Sequence, residues 1–66
     1  MRRLSFEIGI MFAAASLNRN HDQPGMAAEI IIDAGLERYN CKNLDDMEKE
    51  ELRKINGERG IQLRGL

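Results

Sequence analysis

The stretch Pro24-Gly-Met-Ala-Ala-Glu-Ile-Ile-Ile-Asp-Ala-Gly35 predicts a helix more clearly than any other part of the 66-residue chain. Pro24 suits the first turn of a helix, where its missing N–H is not needed, and Gly35 suits the left-handed residue that ends one. Asp22 is a candidate N-cap. Apolar residues at helical spacing predict a core-facing stripe, formed by Ala27, Ile30, Ile31 and Ala34 and widened by Ala28 and Ile32.

Two further helices are predicted on either side of this one, over about residues 4–18 and 44–56, followed by a tail at 57–66. The first is apolar around most of its circumference, which is typical of a central helix. Its opening residues, Leu4 to Ile10, also alternate as in a half-buried strand, so a strand that pairs with residues 61–63 is the minor alternative. The chain has no valine or threonine, and this composition favours helix.

The third predicted helix is strongly charged. Asp45 stands three residues before Glu48, the spacing of a capping box, and Arg53 and Lys54 come late, where the helix dipole favours cations. Its predicted core-facing residues are Leu44, Met47, Leu52 and Ile55. The sequence therefore predicts an all-α fold, a single small three-helix domain over residues 1–66 with a C-terminal tail.

Size and composition limit what such a domain can do. A chain this short buries only about 60% of its unfolded surface, so we expect a partner, either a second copy (a homo-oligomer) or a different protein, to add stability. Cys41 is the only cysteine, which excludes an internal disulfide and indicates a reducing compartment, hence a cytoplasmic location. No stretch approaches the roughly 18 apolar residues of a membrane span. Glu7, inside the N-terminal apolar run, argues against a signal peptide.

Residues that could support catalysis are sparse. The only histidine, His21, and the only cysteine, Cys41, both fall in short polar connections of a domain too small for a deep cleft. Nothing shows the ligand spacing of a metal site or a phosphate-binding glycine loop. We therefore expect no catalytic residue, no metal and no cofactor, and predict that the chain acts by binding.

Acidic residues recur every four positions along the middle helix, at Glu29, Asp33 and Glu37, and Asp22 lies just before it. Like charges at this spacing cost a helix a few tenths of a kcal/mol per pair, and anions late in a helix oppose its dipole. A protein could keep these acidic residues, despite their cost to the helix, because they bind a basic surface on a partner. The alternative is a solvated face, countered by the basic residues of the next connection.

The tail mixes basic and apolar residues. Either it packs across the helices and completes the core, which we favour, or it inserts into a partner. Together with the acidic residues of the middle helix, it supplies the candidate partner-binding residues. These are Asp22, Glu29, Asp33, Glu37, Arg59, Leu63, Arg64 and Leu66.

A small DNA-binding regulator is the main alternative to a protein-binding function. Residues 27–36 are similar to the first helix and turn of a helix-turn-helix, where a small residue and a turn glycine let two helices cross closely. Residues 37–43 have poor helix propensity, however, and the next helix is acidic over its first two turns. Acidic groups there would repel the phosphates that dominate DNA affinity. We therefore expect a protein partner rather than nucleic acid.

In its general form, the chain resembles the many small, uncharacterised proteins encoded by bacteriophages and prophages. The resemblance lies in a capped Ala/Ile helix that ends Ala34-Gly-Leu36, a charged third helix and a closing Arg64-Gly-Leu66. It includes no diagnostic motif and assigns no functional residue. It implies a cytoplasmic accessory role, often that of an inhibitor or adaptor that redirects a host protein.

Overall fold

The computed structural model describes the backbone of residues 3–66 and the side chains from Phe6 onward. It contains α1 (Arg3–His21), α2 (Pro24–Asp33), α3 (Asp46–Ile55) and a 3₁₀ turn at Glu58–Gly60. The all-α, three-helix prediction is confirmed. The strand alternative for residues 4–10 is wrong, because these residues belong to one continuous helix that runs three residues further than expected, to His21.

The C-terminal end of α2 follows the prediction. Gly35 adopts a left-handed conformation, with φ of 75°. Its N–H donates to the carbonyl of Ile32 at 2.9 Å, and the N–H of Leu36 donates to the carbonyl of Ile31 at 2.9 Å. These two hydrogen bonds form a Schellman motif, which satisfies carbonyls that the end of a helix otherwise leaves unpaired.

The N-terminal end of α2 differs from the prediction in its cap. Pro24 occupies the first turn as expected, but Gln23 is the N-cap and makes no side-chain capping hydrogen bond. Asp22 lies one residue too early and adopts φ of 52°. Its N–H donates to the carbonyl of Asn18 at 2.9 Å, so Asp22 continues the end of α1 and does not cap α2.

In α3 the predicted cap is present, but the predicted core face is partly wrong. Asp45 Oδ1 accepts a hydrogen bond from the Glu48 backbone N–H at 2.8 Å. Met47 is 70% exposed and does not reach the core. Residues 48, 51, 52 and 55 share a face at i, i+3, i+4 and i+7, and position 47 lies about a quarter-turn away from that face.

The core lies where α1 and α2 pack together and where α3 crosses them. Fully buried alanines on α1 and α2 allow the two helices to approach closely, and larger side chains fill the space towards α3 and the tail. Met11, Ile31, Leu52, Ile55, Ile61 and Cys41 are the largest fully buried side chains. The alanines are Ala14, Ala15, Ala27 and Ala28.

The tail runs parallel to the segment that connects α2 to α3. The N–H of Gln62 donates to the carbonyl of Glu37 at 2.9 Å, and the N–H of Arg64 donates to the carbonyl of Tyr39 at 3.0 Å. The N–H of Cys41 returns a bond to the carbonyl of Arg64 at 2.7 Å. These three bonds fasten the tail to the connection, where it closes one side of the core.

Side chains hold the tail as well. Ile61 and Leu63 are buried in the core. The Asn56 side chain, at the end of α3, accepts from the Leu63 N–H at 2.8 Å and donates to the Leu63 carbonyl at 3.4 Å. The preferred prediction for the tail, that it packs on its own core, is therefore confirmed.

Candidate protein-binding surface

The outward face of α2 combines acidic and apolar side chains. Glu29 and Asp33 are exposed and lie one turn apart. Met26, which is 54% exposed, and the partly exposed Ile30 lie on the same face, also one turn apart. The positions 26, 29, 30 and 33 follow the i, i+3, i+4, i+7 spacing that aligns side chains along one side of a helix. We call these four residues the α2 ridge.

Ile30 differs from its prediction. The sequence pattern assigns it to the core-facing stripe, but it is only partly buried. It is not among the partly buried apolar side chains that pack against the core, whereas its neighbour Ile32 is. Ala27, Ala28 and Ile31 supply the buried face, and Ile30 lies at its edge, beside the exposed acids.

Arg59 places a positive charge beside the ridge. Its Nη2 lies 4.0 Å from Glu29 Oε2, and both side chains are about half exposed. Its Nε donates to the carbonyl of Gly25 at 3.1 Å. Arg38 and Lys42, the counter-charges that the sequence suggested, form no ion pair among the described residues, and neither does Asp33. The structure thus brings together two of the predicted site residues, Glu29 and Arg59.

The other two predicted acids do not lie on the ridge. Asp22 is exposed in the connection before α2, and Glu37 is partly buried in the connection after it. The Glu37 carbonyl accepts the hydrogen bond from Gln62 that fastens the tail. Of the four acids, only Glu29 and Asp33 lie on α2 and share a helical face.

The tail residues named as partner-binding candidates take part mainly in the fold of the chain itself. Leu63 is buried and so does not lie on the surface, which corrects its place among those candidates. Leu66 packs against the core, and its carbonyl accepts from Arg53 Nε at 3.2 Å and Nη2 at 2.6 Å. Arg64 is exposed, and its Nε donates to the carbonyl of Arg38 at 3.3 Å.

His21 and Cys41 do not form a catalytic pair. His21 is exposed at the end of α1, while Cys41 is fully buried. Burial raises the pKa of the Cys41 thiol to about 11, so the thiol stays protonated at neutral pH and is a poor nucleophile. An open depression of about 550 Å³, lined by residues 35–40 and Arg64, contains neither side chain.

Two acidic side chains on α3 are buried, which the charge pattern of this helix did not indicate. Glu51 is fully satisfied: Oε1 accepts from Asn18 Nδ2 at 3.0 Å and Oε2 accepts from Lys54 Nζ at 3.3 Å. Glu48, 8% exposed, has no hydrogen-bond partner for Oε2 among the described residues. Its burial, and then the negative charge of Asp45, raise the pKa of Glu48 above its ordinary value of 4.5.

This raised pKa makes folding stability depend on pH. The folded chain binds the Glu48 proton more tightly than the unfolded chain, so stability falls as the pH rises from about 4.5 through the raised pKa. Glu48→Gln removes the buried charge, and we expect it to raise the free energy of unfolding at pH 7 by about 1 kcal/mol. Urea denaturation at pH 4.5 and pH 7 measures both effects.

Glu50→Gln is the matched control, because Glu50 is exposed on the same helix. It should change the free energy of unfolding at pH 7 by less than about 0.5 kcal/mol. A Glu48→Gln variant that is less stable than the wild type at pH 7 would show that the buried carboxylate is stabilising, contrary to this account.

Large apolar side chains on α1 are also exposed. Phe6 and Phe12 are each 53% exposed, although the apolar character of α1 predicts a helix surrounded by other elements. Together with Met26 and Met47 they are the large apolar residues that the described part of the chain leaves in solvent. In that part, no helix combines the length and apolar character needed to cross a membrane. Over the same residues, no group of three or more His, Cys, Asp and Glu side chains is arranged to hold a metal ion.

Comparison with protein-family models, with curated proteins and with solved structures found no match to this chain. The α2 ridge and the exposed apolar side chains of α1 are the two surfaces whose chemistry the fold does not explain.

Proposed function

We propose that the chain is a small, non-enzymatic binding protein that docks on another protein through the α2 ridge. The observation that supports this proposal is the combination of acidic and apolar side chains on one exposed helical face, with an isoleucine left outside the core. The resemblance to small phage proteins is the basis for proposing a cytoplasmic accessory or inhibitory role. The partner is then a host protein with an apolar groove and a basic rim.

The apolar half of the ridge supplies the contact area. Met26 and Ile30 lie one turn apart, as anchor residues do when a helix docks in the groove of a partner. Methionine is flexible and polarisable, so it adapts to the shape of such a groove. Burial of both side chains in a complex removes apolar surface from water, which is the main driving force of most protein association.

The acidic half of the ridge gives orientation and specificity. Glu29 and Asp33 repel each other across one turn, and Asp33 also lies at the C-terminal end of α2, where the helix dipole disfavours an anion. The exposed Arg59–Glu29 pair contributes less than about 1 kcal/mol, so a basic partner can displace it easily. Charges at the rim of an interface mainly raise the association rate and make it sensitive to salt.

The geometry after α2 supports the DNA-binding alternative less well. After α2 and the turn at Gly35, residues 37–43 form turns and an isolated bridge in place of a recognition helix. The next helix, α3, begins only at Asp46 and carries Asp46 and Glu48 in its first turn. A helix with an acidic N-terminus is poorly suited to approach DNA phosphates.

The variant Glu29→Gln/Asp33→Asn tests the ridge. We expect it to weaken binding of the partner, recovered from the native host and then purified, by at least about tenfold, and to reduce the salt dependence of the association rate. Surface plasmon resonance at two salt concentrations measures both quantities. Because both side chains are exposed, circular dichroism should show an unchanged helix content.

The control is Asp46→Asn/Glu50→Gln, which removes the same charge from exposed positions on α3. It should bind the partner as the wild type does. Equal affinity of the wild type and the ridge variant, at both salt concentrations, would contradict the proposed function.

A further inference from the structure

The side of α1 that faces away from α2 and α3 carries a continuous uncharged strip. Phe6 and Phe12 stand on its two flanks, and three small residues form the floor between them. Exposed Gly9 and Ala13 and the partly exposed Ser16 make up this floor. We call these five residues the outer face of α1.

Charge distinguishes this face from the rest of the surface. Between Phe6 and Asn18 the only ionisable residue is Glu7, which is partly buried and projects from a different side of the helix. The exposed faces of α2 and α3, by contrast, are rich in charged side chains. The outer face of α1 therefore matches an uncharged, apolar surface. Contact with a charged surface would bury charged groups without a partner, which costs free energy.

The sequence of α1 is also more apolar than a helix that packs against neighbours on one side requires. A helix that is apolar around most of its circumference is expected at the centre of a helical assembly. Among the described residues, α1 packs against α2 and α3, while its outer face is exposed. A further element against the outer face would give α1 the central position that its sequence predicts.

The shape of the outer face suits another helix. A Cβ placed on Gly9 would meet no atom of the described residues within 4 Å, so these residues leave the space above the floor open. Small residues on a helix let a second backbone approach closely, and the two phenylalanine rings then pack against the flanks of the incoming helix. A second helix that carries the same pattern, two aromatic rings on either side of a floor of small residues, can pack against this face.

We propose that the outer face of α1 pairs with the same face of a second copy, in an antiparallel, two-fold symmetric dimer. Both surfaces are uncharged, so no like charges meet across the interface. Antiparallel pairing also places the positive end of one helix dipole beside the negative end of the other. A two-fold dimer requires a self-complementary patch, and two rings that flank a floor of small residues can supply one.

The area available indicates a weak dimer. Each phenylalanine ring exposes roughly 100 Å², and with the floor the face offers on the order of 450 Å² per chain. Twice that area, on the order of 900 Å², is below the roughly 1,200 Å² of specific, stable interfaces and falls in the range of weak, transient association. The accessible surface of the single chain, 4370 Å², is close to the roughly 4,200 Å² usual for a monomer of this mass. We therefore expect the chain to fold without its copy and to dimerise with a dissociation constant on the order of 10–100 μM.

The outer face of α1 and the α2 ridge share no residue, so we expect the ridge to remain accessible in the dimer. The proposal therefore does not depend on the proposed function. It is tested with the purified chain alone, so its failure would leave the ridge proposal standing, and the reverse also holds.

Sedimentation velocity over about 5–500 μM tests the dimer. For the wild-type chain we expect the weight-average sedimentation coefficient to rise with concentration towards that of a dimer. Ala13→Glu places a charge in the centre of the outer face at an exposed position, and should remain monomeric throughout the range with unchanged thermal stability. Phe12→Ala should weaken association by at least tenfold.

Met47→Glu is the matched control, since it places the same charge on an exposed apolar position of α3. It should dimerise as the wild type does. A wild-type chain that stays monomeric up to 500 μM would overturn the proposal. So would an Ala13→Glu variant that still dimerises, or a dimer that Met26→Glu abolishes and Ala13→Glu does not.

Discussion

Replacing Ile61 with alanine should lower the free energy of unfolding by about 3 kcal/mol, the middle of the range for large-to-small substitutions at buried aliphatic positions. Ile61 is 1% exposed and lies in the tail, where it joins the same core cluster as residues from all three helices. The substitution removes buried apolar surface and leaves a cavity. In a domain whose total stability is on the order of 3–10 kcal/mol, this loss would leave a substantial fraction unfolded near body temperature.

Thermal denaturation followed by circular dichroism measures the effect, which should appear as a fall in Tm of about 10–20 °C. Gln62→Ala is the control, because the Gln62 side chain is exposed and only its backbone N–H fastens the tail. It should change stability by less than about 0.5 kcal/mol. An Ile61→Ala variant as stable as the Gln62→Ala variant would show that the tail does not complete the core.

Gly65→Ala is expected to destabilise the fold by about 2–3 kcal/mol, for two reasons that act together. Gly65 has φ of 74°, a conformation that costs a residue with a side chain roughly 1–2 kcal/mol. A Cβ at this position would also lie 2.8 Å from the Lys42 backbone nitrogen and would meet the Asn40 side-chain oxygen. Because Lys42 N is backbone, the tail itself must move, which disturbs the hydrogen bonds between the tail and the connection.

Gly60→Ala separates the two contributions. Gly60 has φ of 83°, but a Cβ there would meet no atom within 4 Å. We expect Gly60→Ala to cost only the backbone term, roughly 1–2 kcal/mol, and therefore less than Gly65→Ala. Chemical denaturation of both variants measures the difference. Equal losses at the two positions would mean that the close approach of the tail to residues 40–42 contributes nothing to stability.

Local signals in the sequence predicted local structure well. Pro24 and Gly35 mark the ends of α2 because each acts through its own backbone conformation, which needs no knowledge of the rest of the fold. The same holds for Asp45, the N-cap of α3, whose carboxylate accepts a hydrogen bond from the backbone N–H of Glu48 three residues later. The cap assigned to Asp22 failed because the preceding helix α1 continues to His21 and determines the backbone conformation at that point.

Features that depend on packing were harder to predict. The tail pairs in parallel with the segment between α2 and α3, and the paired residues lie more than 20 positions apart in the sequence. No pattern within either segment predicts this pairing. Glu48 and Glu51 look like solvated acids of a charged helix, and only the register of α3 against α1 buries them. The same register leaves Met47 in solvent.

The candidate site was predicted in part. The spacing of Glu29 and Asp33 indicated a shared acidic face, and this spacing could be read directly from the sequence. The sequence did not indicate that Met26 and Ile30 share this face, because the periodicity of α2 is equally consistent with Ile30 in the core stripe. The exposure of Phe6 and Phe12 was also missed, because the alternation and apolar content of α1 give no sign of which side its neighbours cover.

Photo-crosslinking tests most directly the central claim that the α2 ridge is the surface that meets a partner protein. The photoreactive residue p-benzoylphenylalanine replaces Met26 on the ridge in one variant and Met47 on α3 in another, both at exposed apolar positions. After irradiation in the native host, the Met26 variant should give a discrete adduct with one host protein, and the Met47 variant should give none. An adduct from the Met47 variant with none from the Met26 variant would contradict the claim.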